Sequence, residues 1–350
     1  MSPILAHFRE QAIICAEYGS PFTGELLARM ADDIEAGGPV ANLVRRWPSN
    51  PRADVLSLRL AGALHAAALT GRDAILAAIY PTRGGRRSMG EIWPPARAFL
   101  ERERDWVSEF ITSAPQTNEI RRSIALLAGF LAFAKDWRGP IDMLELGASA
   151  GLNLYWDRFA YETKSWSWGN ASSAQIDTDW HGPAPPVEVA PAIRHRAGCD
   201  LNPLDIGDAD AVLRLKSYIW PDQNERLARF DGAVSLARAA GVQIDRASAD
   251  AWLADKLAAR AGDAATIVYH SVFLQYPPRE TRKAIIAAIR EAGARATPQA
   301  PLAWVRLEPE ALTDRVENGL RFVLDLHTWP GGERRILGYT DGHVRAFYAR

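Results

Sequence analysis

The chain has 350 residues, of which 48% are hydrophobic and 24% are charged, and its formal net charge is -1. This composition is that of a globular protein able to bury a large core, so extensive disorder is excluded. The near-zero charge gives no general attraction to nucleic acids or anionic membranes, and we expect no nucleic-acid partner. The length favours two lobes, a core domain and an appended one.

The two cysteines, Cys15 and Cys199, lie far apart in a cysteine-poor chain. This usage is typical of free thiols in a reducing cytoplasm. The first residues lack the basic stretch and the apolar run of a signal peptide. The longest apolar run, 124–134, is well short of the roughly 20 residues that a membrane-spanning helix needs. We therefore expect a cytoplasmic protein without a membrane partner.

Up to residue 138 the apolar residues recur every three or four positions, which is the pattern of amphipathic helices. The clearest stripe consists of Phe22, Leu26, Leu27, Met30 and Ile34. Ser20-Pro21 is typical of a helix start, and Gly37-Gly38 and Gly71 are typical of helix ends. The sequence predicts an all-helical N-terminal lobe over residues 1–138, on the substrate side of the protein.

From residue 139 to 350, short apolar runs alternate with helical stretches, which is typical of a mostly parallel sheet covered by helices on both faces. The runs are 141–146, 266–269 and 302–307. Three further runs around Pro330-Gly331-Gly332 predict a C-terminal antiparallel hairpin or meander. The segment 161–191, rich in Trp, Ser, Gly and Pro, is predicted to be a long ordered loop that covers a site.

The strongest local signal is segment 141–154, in which an apolar strand and an acidic residue lead into a turn of small residues. At the carboxyl end of the first strand of a doubly wound sheet, such a turn lets a ligand approach the backbone and the N–H groups of a helix start. The alternative is a tight strand-to-helix turn without a ligand. The candidate cofactor-binding residues here are Glu145, Gly147, Ala148, Ser149, Gly151 and Asn153.

The glycine spacing narrows the class of cofactor. A dinucleotide fingerprint has glycines at its first, third and sixth positions, whereas the sixth position here is Leu152 and the fifth is Gly151. No Gly-Lys-Ser/Thr follows any glycine loop, so a P-loop is absent from the sequence. The motif therefore disfavours both NAD and nucleoside triphosphates.

Acidic residues after the next strands can bind ribose hydroxyls and an adenine amine. Asp200 is predicted to end the second strand, and its alternative role is an N-cap. Asp250 is predicted to follow a third strand at 242–244 and to accept from the adenine amine, with Ala251 as a further cofactor-binding candidate and Trp252 supplying an aromatic face nearby. Its alternative is a capped surface helix.

Taken together, these features resemble a bacterial family, domain of unknown function 2332, over nearly the full length. The matching stretches are Tyr80-Pro81, 116–119, 145–154, 157–161, Cys199-Asp200, 220–222 and His270-Ser271. The family is similar to class I methyltransferases, which implies an S-adenosylmethionine pocket. The expected fold is therefore α/β, a Rossmann-like class I methyltransferase fold with a mostly parallel sheet and a C-terminal antiparallel hairpin, preceded by the all-helical lobe.

Two departures from the general methyltransferase pattern bear on activity. Ser149 stands where the middle glycine of Gly-x-Gly-x-Gly is usual, and its hydroxyl can bond a cofactor carboxylate but narrows the backbone approach. The Asn-Pro-Pro-Tyr motif of DNA amino-methyltransferases is missing, and residues 269–272 occupy its place. This disfavours nucleobase methylation.

The first hypothesis is methyl transfer to an oxygen or nitrogen of a small-molecule acceptor, with the helical lobe and segment 161–191 as a lid. Such a displacement needs positioning and water exclusion, with a base only if the acceptor loses a proton. Residues 116–119 are predicted to place polar side chains over the small-residue turn or to cap a helix. The candidate acid/base or orienting residues are His270, Glu119 and Tyr276, and Ser271 joins the cofactor-binding set.

The second hypothesis is a binding or regulatory protein of methyltransferase fold that has lost catalysis, which Ser149 and the lack of an acceptor motif favour. A third, a metalloenzyme, rests only on His195 and Cys199 at helix-compatible spacing. Without a CxxC or His-Glu-x-x-His motif we expect no metal site.

Overall fold

A computed structural model describes residues 2–85, 87–313 and 321–350. The helices are α1 (Pro3–Glu17), α2 (Pro21–Glu35), α3 (Pro39–Val44), α4 (Leu56–Thr70), α5 (Ala74–Ile79), α6 (Met89–Arg102), α7 (Arg104–Phe110), α8 (Arg122–Ala134), α9 (Ala209–Ser217), α10 (Asn224–Ala240), α11 (Ala249–Ala258) and α12 (Arg279–Ala294). The strands are β1 (Pro140–Leu146), β2 (Ala160–Glu162), β3 (Ser167–Trp168), β4 (Gln175–Asp177), β5 (Asp179–His181), β6 (Ala192–Asp200), β7 (Asp245–Arg246), β8 (Ala265–Ser271), β9 (Leu302–Pro309), β10 (Phe322–Trp329), β11 (Glu333–Thr340) and β12 (Ala346–Ala349).

The chain divides into two compact units. The first consists of Met1–Thr117 and Gly207–Ala228, and the second of Asn118–Ile206 and Arg229–Arg350. This division differs from the boundary at residue 138 that the sequence predicts, because α8 belongs to the second unit and α9 to the first. The reason for the first difference is packing: α8 is apolar on all sides and lies against β9 and β10.

The first unit is helical in every regular element that the structure describes within it. Its helices begin and end at the predicted signals. The Ser20 hydroxyl accepts a hydrogen bond from the Thr23 N–H at the start of α2, and Gly71 ends α4 in the left-handed conformation. Buried side chains of α2, among them Leu26, Leu27 and Met30, contribute to an apolar core shared with α1, α4 and α6.

The second unit is built on a nine-stranded sheet with the order β5-β12-β11-β10-β9-β8-β1-β6-β7. The pairings from β9 to β7 are parallel, as is the pairing of β12 with β5, and those from β9 to β12 are antiparallel. The predictions of a mixed α/β architecture, a mostly parallel sheet and a C-terminal antiparallel hairpin are therefore confirmed.

The two faces of the sheet are covered by different helices. Glu145 is in register with Tyr269 of β8, so these two side chains share one face, which Phe130 of α8 covers. The opposite face packs on α11 and α12 in an apolar cluster. That cluster includes Leu144, Leu146, Trp252, Leu253, Val268, Ile285, Ile289 and Trp304.

Segment 161–191 is not the long loop that the sequence predicts. It contains short strands: β3 and β4 flank β2 in a separate three-stranded sheet, and β5 extends the edge of the large sheet beside β12. Its tryptophans explain the difference, because Trp166 and Trp180 pack edge to face at 4.9 Å and Trp180 stacks on Phe347 at 4.4 Å. Buried indoles therefore hold this segment together and pack it against β12.

The apolar run 124–134 forms the buried helix α8. Within the described residues, no helix combines the length and the apolar character needed to cross a membrane. Both cysteines are buried free thiols, as predicted.

We predict that Gly129→Ala destabilises the second unit by about 1–3 kcal/mol. A Cβ on Gly129 would lie 2.6 Å from Cγ1 of Val305, so the added methyl group forces α8 away from β9. The free energy of unfolding in urea measures the effect. Gly90→Ala in α6 is the matched control, because its Cβ would meet only the Ser88 hydroxyl oxygen, at 3.8 Å, and we expect a small gain there. Equal stability of the two variants would contradict the close packing of α8.

Candidate functional site

The direction of the chain through the sheet reverses at β1. From β1 the chain continues to β6 and β7 on one side, and it then returns to β8 and β9 on the other. In open parallel sheets, ligands bind outside the carboxyl ends of the strands at such a switch point. The residues at these ends are Leu146, Asp200 and Ser271. The candidate site therefore lies in the loops that follow β1, β6 and β8.

The turn after β1 has three residues in the left-handed conformation. Their φ values are +68° at Gly147, +56° at Ser149 and +71° at Gly151. For Ser149 this conformation costs about 1–2 kcal/mol relative to a right-handed one, so its surroundings must hold it. The Ser149 N–H donates to Oδ2 of Asp200 at 3.0 Å, and the Leu204 N–H donates to the Ser149 carbonyl at 3.3 Å. The loop after β6 thus fixes the turn.

Glycine is required at three positions of this region, because a side chain there would collide with neighbouring atoms. A Cβ on Gly147 would overlap Cδ2 of Phe273, and one on Gly151 would lie 2.6 Å from Cδ1 of Ile244. A Cβ on Gly198 in β6 would lie 2.8 Å from that of Ala148. The turn after β1 is therefore in direct contact with the loop after β8, with the segment just before β7 and with β6.

The turn does not continue into an α-helix. Residues Leu152–Arg158 form a 3₁₀ helix, and the first N–H, that of Leu152, donates to Oδ1 of Asn118 at 3.1 Å. The α-helix start that the sequence predicts after the turn is therefore wrong, because a 3₁₀ helix stands there instead. The prediction that polar side chains of residues 116–119 lie over the turn is confirmed for Asn118.

Two buried polar atoms, one in the turn and one in the 3₁₀ helix after it, have no hydrogen-bond partner among the described residues. They are Oγ of Ser149 and Oδ1 of Asn153, and both side chains are at most 5% exposed. The amide nitrogen of Asn153 is engaged, since it donates to the Glu119 carbonyl at 3.4 Å. Buried polar groups in proteins are nearly always satisfied, so these two atoms need a water molecule or a ligand.

Glu145 lies beneath the turn and is 4% exposed. The Tyr269 hydroxyl donates to its Oε2 at 3.2 Å. Burial raises the pKa of Glu145 to about 8, the Tyr269 hydrogen bond partly opposes this, and the nearby Asp200 carboxylate adds to it. The Glu145 carboxyl is therefore largely neutral at pH 7 and can donate a hydrogen bond.

Asp200 is half-buried at the end of β6. Its two oxygens accept from the N–H groups of Ser149 and Asn202, at 3.0 and 2.9 Å. Each carboxylate oxygen can accept a second hydrogen bond, so binding to a ligand remains open to Asp200.

Asp250 lies in the first turn of α11, whose N-cap residue Ser248 makes no side-chain capping hydrogen bond. The Asp250 carboxylate accepts from the Ser248 hydroxyl at the start of α11, and this hydrogen bond lowers the pKa of Asp250. Ala251 beside it is exposed. The expectation that Trp252 offers a face to a ligand is wrong, because its ring is buried and its Nε1–H donates to Asp245 at 2.7 Å. The third strand, β7, also begins after the predicted 242–244.

The three acid/base candidates have different environments. His270 is fully buried: its Nδ1 lies 2.6 Å from Oε1 of Glu308, and its Nε2 lies 3.0 Å from the Trp304 indole nitrogen. Glu119 is 5% exposed and accepts from the Arg121 N–H at 3.2 Å, whereas Tyr276 is 75% exposed. Ser271 is half-buried at the end of β8.

The spacing argument for a metal site fails. His195 and Cys199 lie in the strand β6, where residues four apart are about 13 Å from each other rather than neighbours on a helix. Among the residues that the structure describes, no group of three or more His, Cys, Asp or Glu side chains could hold a metal ion.

Sequence reasoning missed Phe273 and Glu308. A glutamate directly after the apolar run 302–307 was the available signal, since an acid on a strand buried on both faces needs a partner. The positions that Glu308 contacts follow β8, far away in sequence, so the partner itself was not predictable.

Residues 6–348 match the model of a family described as "Uncharacterized protein conserved in bacteria (DUF2332)". Because the match covers almost the whole chain, the chain belongs to this family. A search of curated proteins finds no match.

We predict that Glu145→Gln changes how stability depends on pH. The folded chain holds the Glu145 proton up to about pH 8, whereas the unfolded chain releases it near its ordinary pKa of 4.5. The contribution of this proton to the free energy of unfolding is therefore fully present below pH 4.5, and it is lost as the pH rises to about 8. In urea unfolding, the free energy of unfolding of the variant relative to the wild type should rise by at least about 1 kcal/mol from pH 5 to pH 8.

The matched control for this measurement is Glu291→Gln on the exposed side of α12, whose carboxylate is solvated in the folded and the unfolded chain. We expect it to follow the wild type across the same pH range. A Glu145→Gln profile parallel to the wild type would show that Glu145 is ionised in the folded protein.

Proposed function

We propose that the protein binds S-adenosylmethionine at the carboxyl ends of β1 and β6 and transfers its methyl group to a small-molecule oxygen or nitrogen. The observation that carries the proposal is the turn at Gly147–Gly151, with its left-handed residues, which lies at the switch point of the sheet beside Asp200. Two buried polar atoms in and next to this turn have no hydrogen-bond partner among the described residues.

The strand order supports a Rossmann-like class I methyltransferase fold. The order β7-β6-β1-β8-β9 corresponds to the first five strands of the doubly wound order 3-2-1-4-5. Beyond β9 the chain adds the antiparallel strands β10, β11 and β12. This fold is part of the proposal, because a shared strand order does not define an activity.

The donor and acceptor groups at the turn fit this cofactor. The Asp200 carboxylate would accept from the ribose hydroxyls, and the Ser149 hydroxyl and Asn153 amide oxygen would engage polar groups of the methionine part. The neutral Glu145 carboxyl adds a hydrogen-bond donor beneath them. Asp250 remains the candidate for the adenine amine. When bound, the cofactor supplies a methyl group on a sulfonium, which is open to in-line displacement.

The chemistry assigned to the chain itself is mainly positioning and exclusion of water. The hydrogen bonds of His270 favour an orienting role over that of a base, because Trp304 occupies its Nε2. Glu119 and Tyr276 remain candidates for the base. A methyl acceptor that has no proton to lose would need neither of them.

The second candidate function is cofactor binding without methyl transfer. One observation favours it: His270, the base candidate closest to the end of β8, is fully buried and both its ring nitrogens are engaged. Incubation with S-adenosylmethionine carrying a labelled methyl group and a panel of small hydroxyl and amine compounds separates the two. Label in a small molecule supports transfer, and bound but unconsumed cofactor supports binding alone.

We predict that S-adenosylhomocysteine binds the wild type with a micromolar dissociation constant, about -8 kcal/mol, and that Asp200→Asn weakens binding at least about tenfold. The variant removes a charged acceptor and leaves an amide facing the Ser149 N–H. Isothermal titration calorimetry measures both affinities.

The matched control is Asp208→Asn, because the Asp208 carboxylate likewise accepts from the N–H two residues later, at 2.9 Å, but caps α9. We expect wild-type affinity for it. If neither S-adenosylmethionine nor S-adenosylhomocysteine binds at millimolar concentration, the proposed function is wrong.

We predict that Ser149→Gly leaves the free energy of unfolding within about 1 kcal/mol of the wild type, because relief of the left-handed backbone offsets the flexibility that glycine adds. The same variant should weaken S-adenosylhomocysteine binding about threefold to tenfold through loss of one hydrogen bond. Thermal unfolding and calorimetry are compared on one preparation. Unchanged affinity would show that the Ser149 hydroxyl does not contact the cofactor.

A further inference from the structure

The carboxylate of Glu308 lies at the centre of a buried hydrogen-bond chain behind the loop that follows β8. Its Oε1 accepts from the Phe273 N–H at 2.8 Å, and the Leu274 N–H lies 3.3 and 3.2 Å from its two oxygens. His270 Nδ1 is 2.6 Å from Oε1. The Glu308 side chain is fully buried, where an acid is stable only if strong donors replace its lost water.

The direction of each hydrogen bond in this chain follows from Trp304. An indole N–H can only donate, so Nε2 of His270 must accept, and the ring hydrogen lies on Nδ1 and is donated to Glu308. The order of donation is therefore Trp304 to His270 to Glu308. Both ring nitrogens of His270 are used inside the fold.

The loop that Glu308 holds is strained. Val272 has a φ of +53°, a left-handed conformation that is a genuine outlier for a β-branched residue. Such conformations are energetically unfavourable and persist only where the surroundings determine them. The Val272 N–H donates to the Leu307 carbonyl at 2.8 Å, and Glu308 fixes the next two N–H groups.

The strain has one visible consequence, which is the place of the Phe273 ring. The ring lies against Gly147, so closely that a Cβ there would overlap its Cδ2. Phe273 remains partly exposed, whereas Val272 and Leu274 on either side are buried. A relaxed loop would carry the ring away from the first glycine of the turn.

We propose that Glu308 and His270 are positioning residues that lock the Val272–Leu274 turn, so that the Phe273 ring forms a fixed aromatic wall beside Gly147. The positioning follows from the hydrogen-bond chain, and the wall as part of a cofactor site rests on the proposed function. The ring presents a rigid apolar surface to whatever binds at the turn, and it thereby selects ligands by shape.

The positioning is tested without any ligand, by amide hydrogen exchange resolved at Phe273 and Leu274. Glu308→Ala removes every acceptor and should speed exchange at both amides roughly tenfold or more. Glu308→Gln keeps one acceptor oxygen and should fall between Ala and the wild type. If Glu308 had only a general structural role, its loss would raise exchange throughout β8 and β1. The positioning role predicts an effect that is confined to these two amides and that is larger for Ala than for Gln.

The matched control is Thr266→Val, which removes the partly buried hydrogen bond from Arg260 at the opposite end of β8, at 3.0 Å, and should leave the two amides as in the wild type. Unchanged exchange at Phe273 and Leu274 in both Glu308 variants overturns the proposal. Equal acceleration of all β8 amides also overturns it.

The wall is tested by calorimetry with S-adenosylhomocysteine. Phe273→Ala should weaken binding about fivefold, Glu308→Gln should weaken it in the same direction, and Tyr348→Ala, an exposed aromatic on β12, should not change it. Wild-type affinity in Phe273→Ala overturns the wall while the cofactor proposal stands. If the wild type binds no S-adenosylhomocysteine but exchange is graded as expected, the cofactor proposal fails and the positioning pair is supported.

Discussion

Close approach of three loops at the carboxyl end of β1 is the constraint on which the candidate site depends. Gly147 lies against Phe273, Gly151 against Ile244, and Gly198 against Ala148, each at a distance that leaves no room for a Cβ. The loops can meet there because β1 pairs with both β6 and β8 and so occupies the centre of the parallel region. The strand order brings the loops together, and the three glycines, which have no side chain, let them come into contact at the candidate site.

Two glutamates buried on opposite faces of the same sheet illustrate two solutions to the cost of burying an acid. Glu145 has one hydrogen-bond donor, the Tyr269 hydroxyl, and burial raises its pKa to about 8. Glu308 has three donors, two of them backbone N–H groups. The first side chain is thereby suited to donate to a ligand, and the second to hold a loop.

Several errors of the sequence predictions share one physical cause. The glycines and prolines of segment 161–191 predict a loop, yet its tryptophans pack on one another and on β12, and parts of the segment form strands. The position of helix α8 after other helices predicts that it belongs to the N-terminal lobe, although its uniform apolar surface packs on the sheet. Local periodicity reports the type of element, and burial partners decide where it belongs.

The sequence by itself determined the helical character of the first residues, the strand and small-residue turn at 141–154, the C-terminal hairpin and the family. Each of these depends on neighbouring residues or on a motif with fixed spacing. Only the tertiary structure decided that Asn118 covers the turn, that Trp252 faces the core and that His270 is held between Trp304 and Glu308. The contacts of Asn118 and His270 join residues at least 34 positions apart in the chain. Strand pairing, not local pattern, brings such residues together.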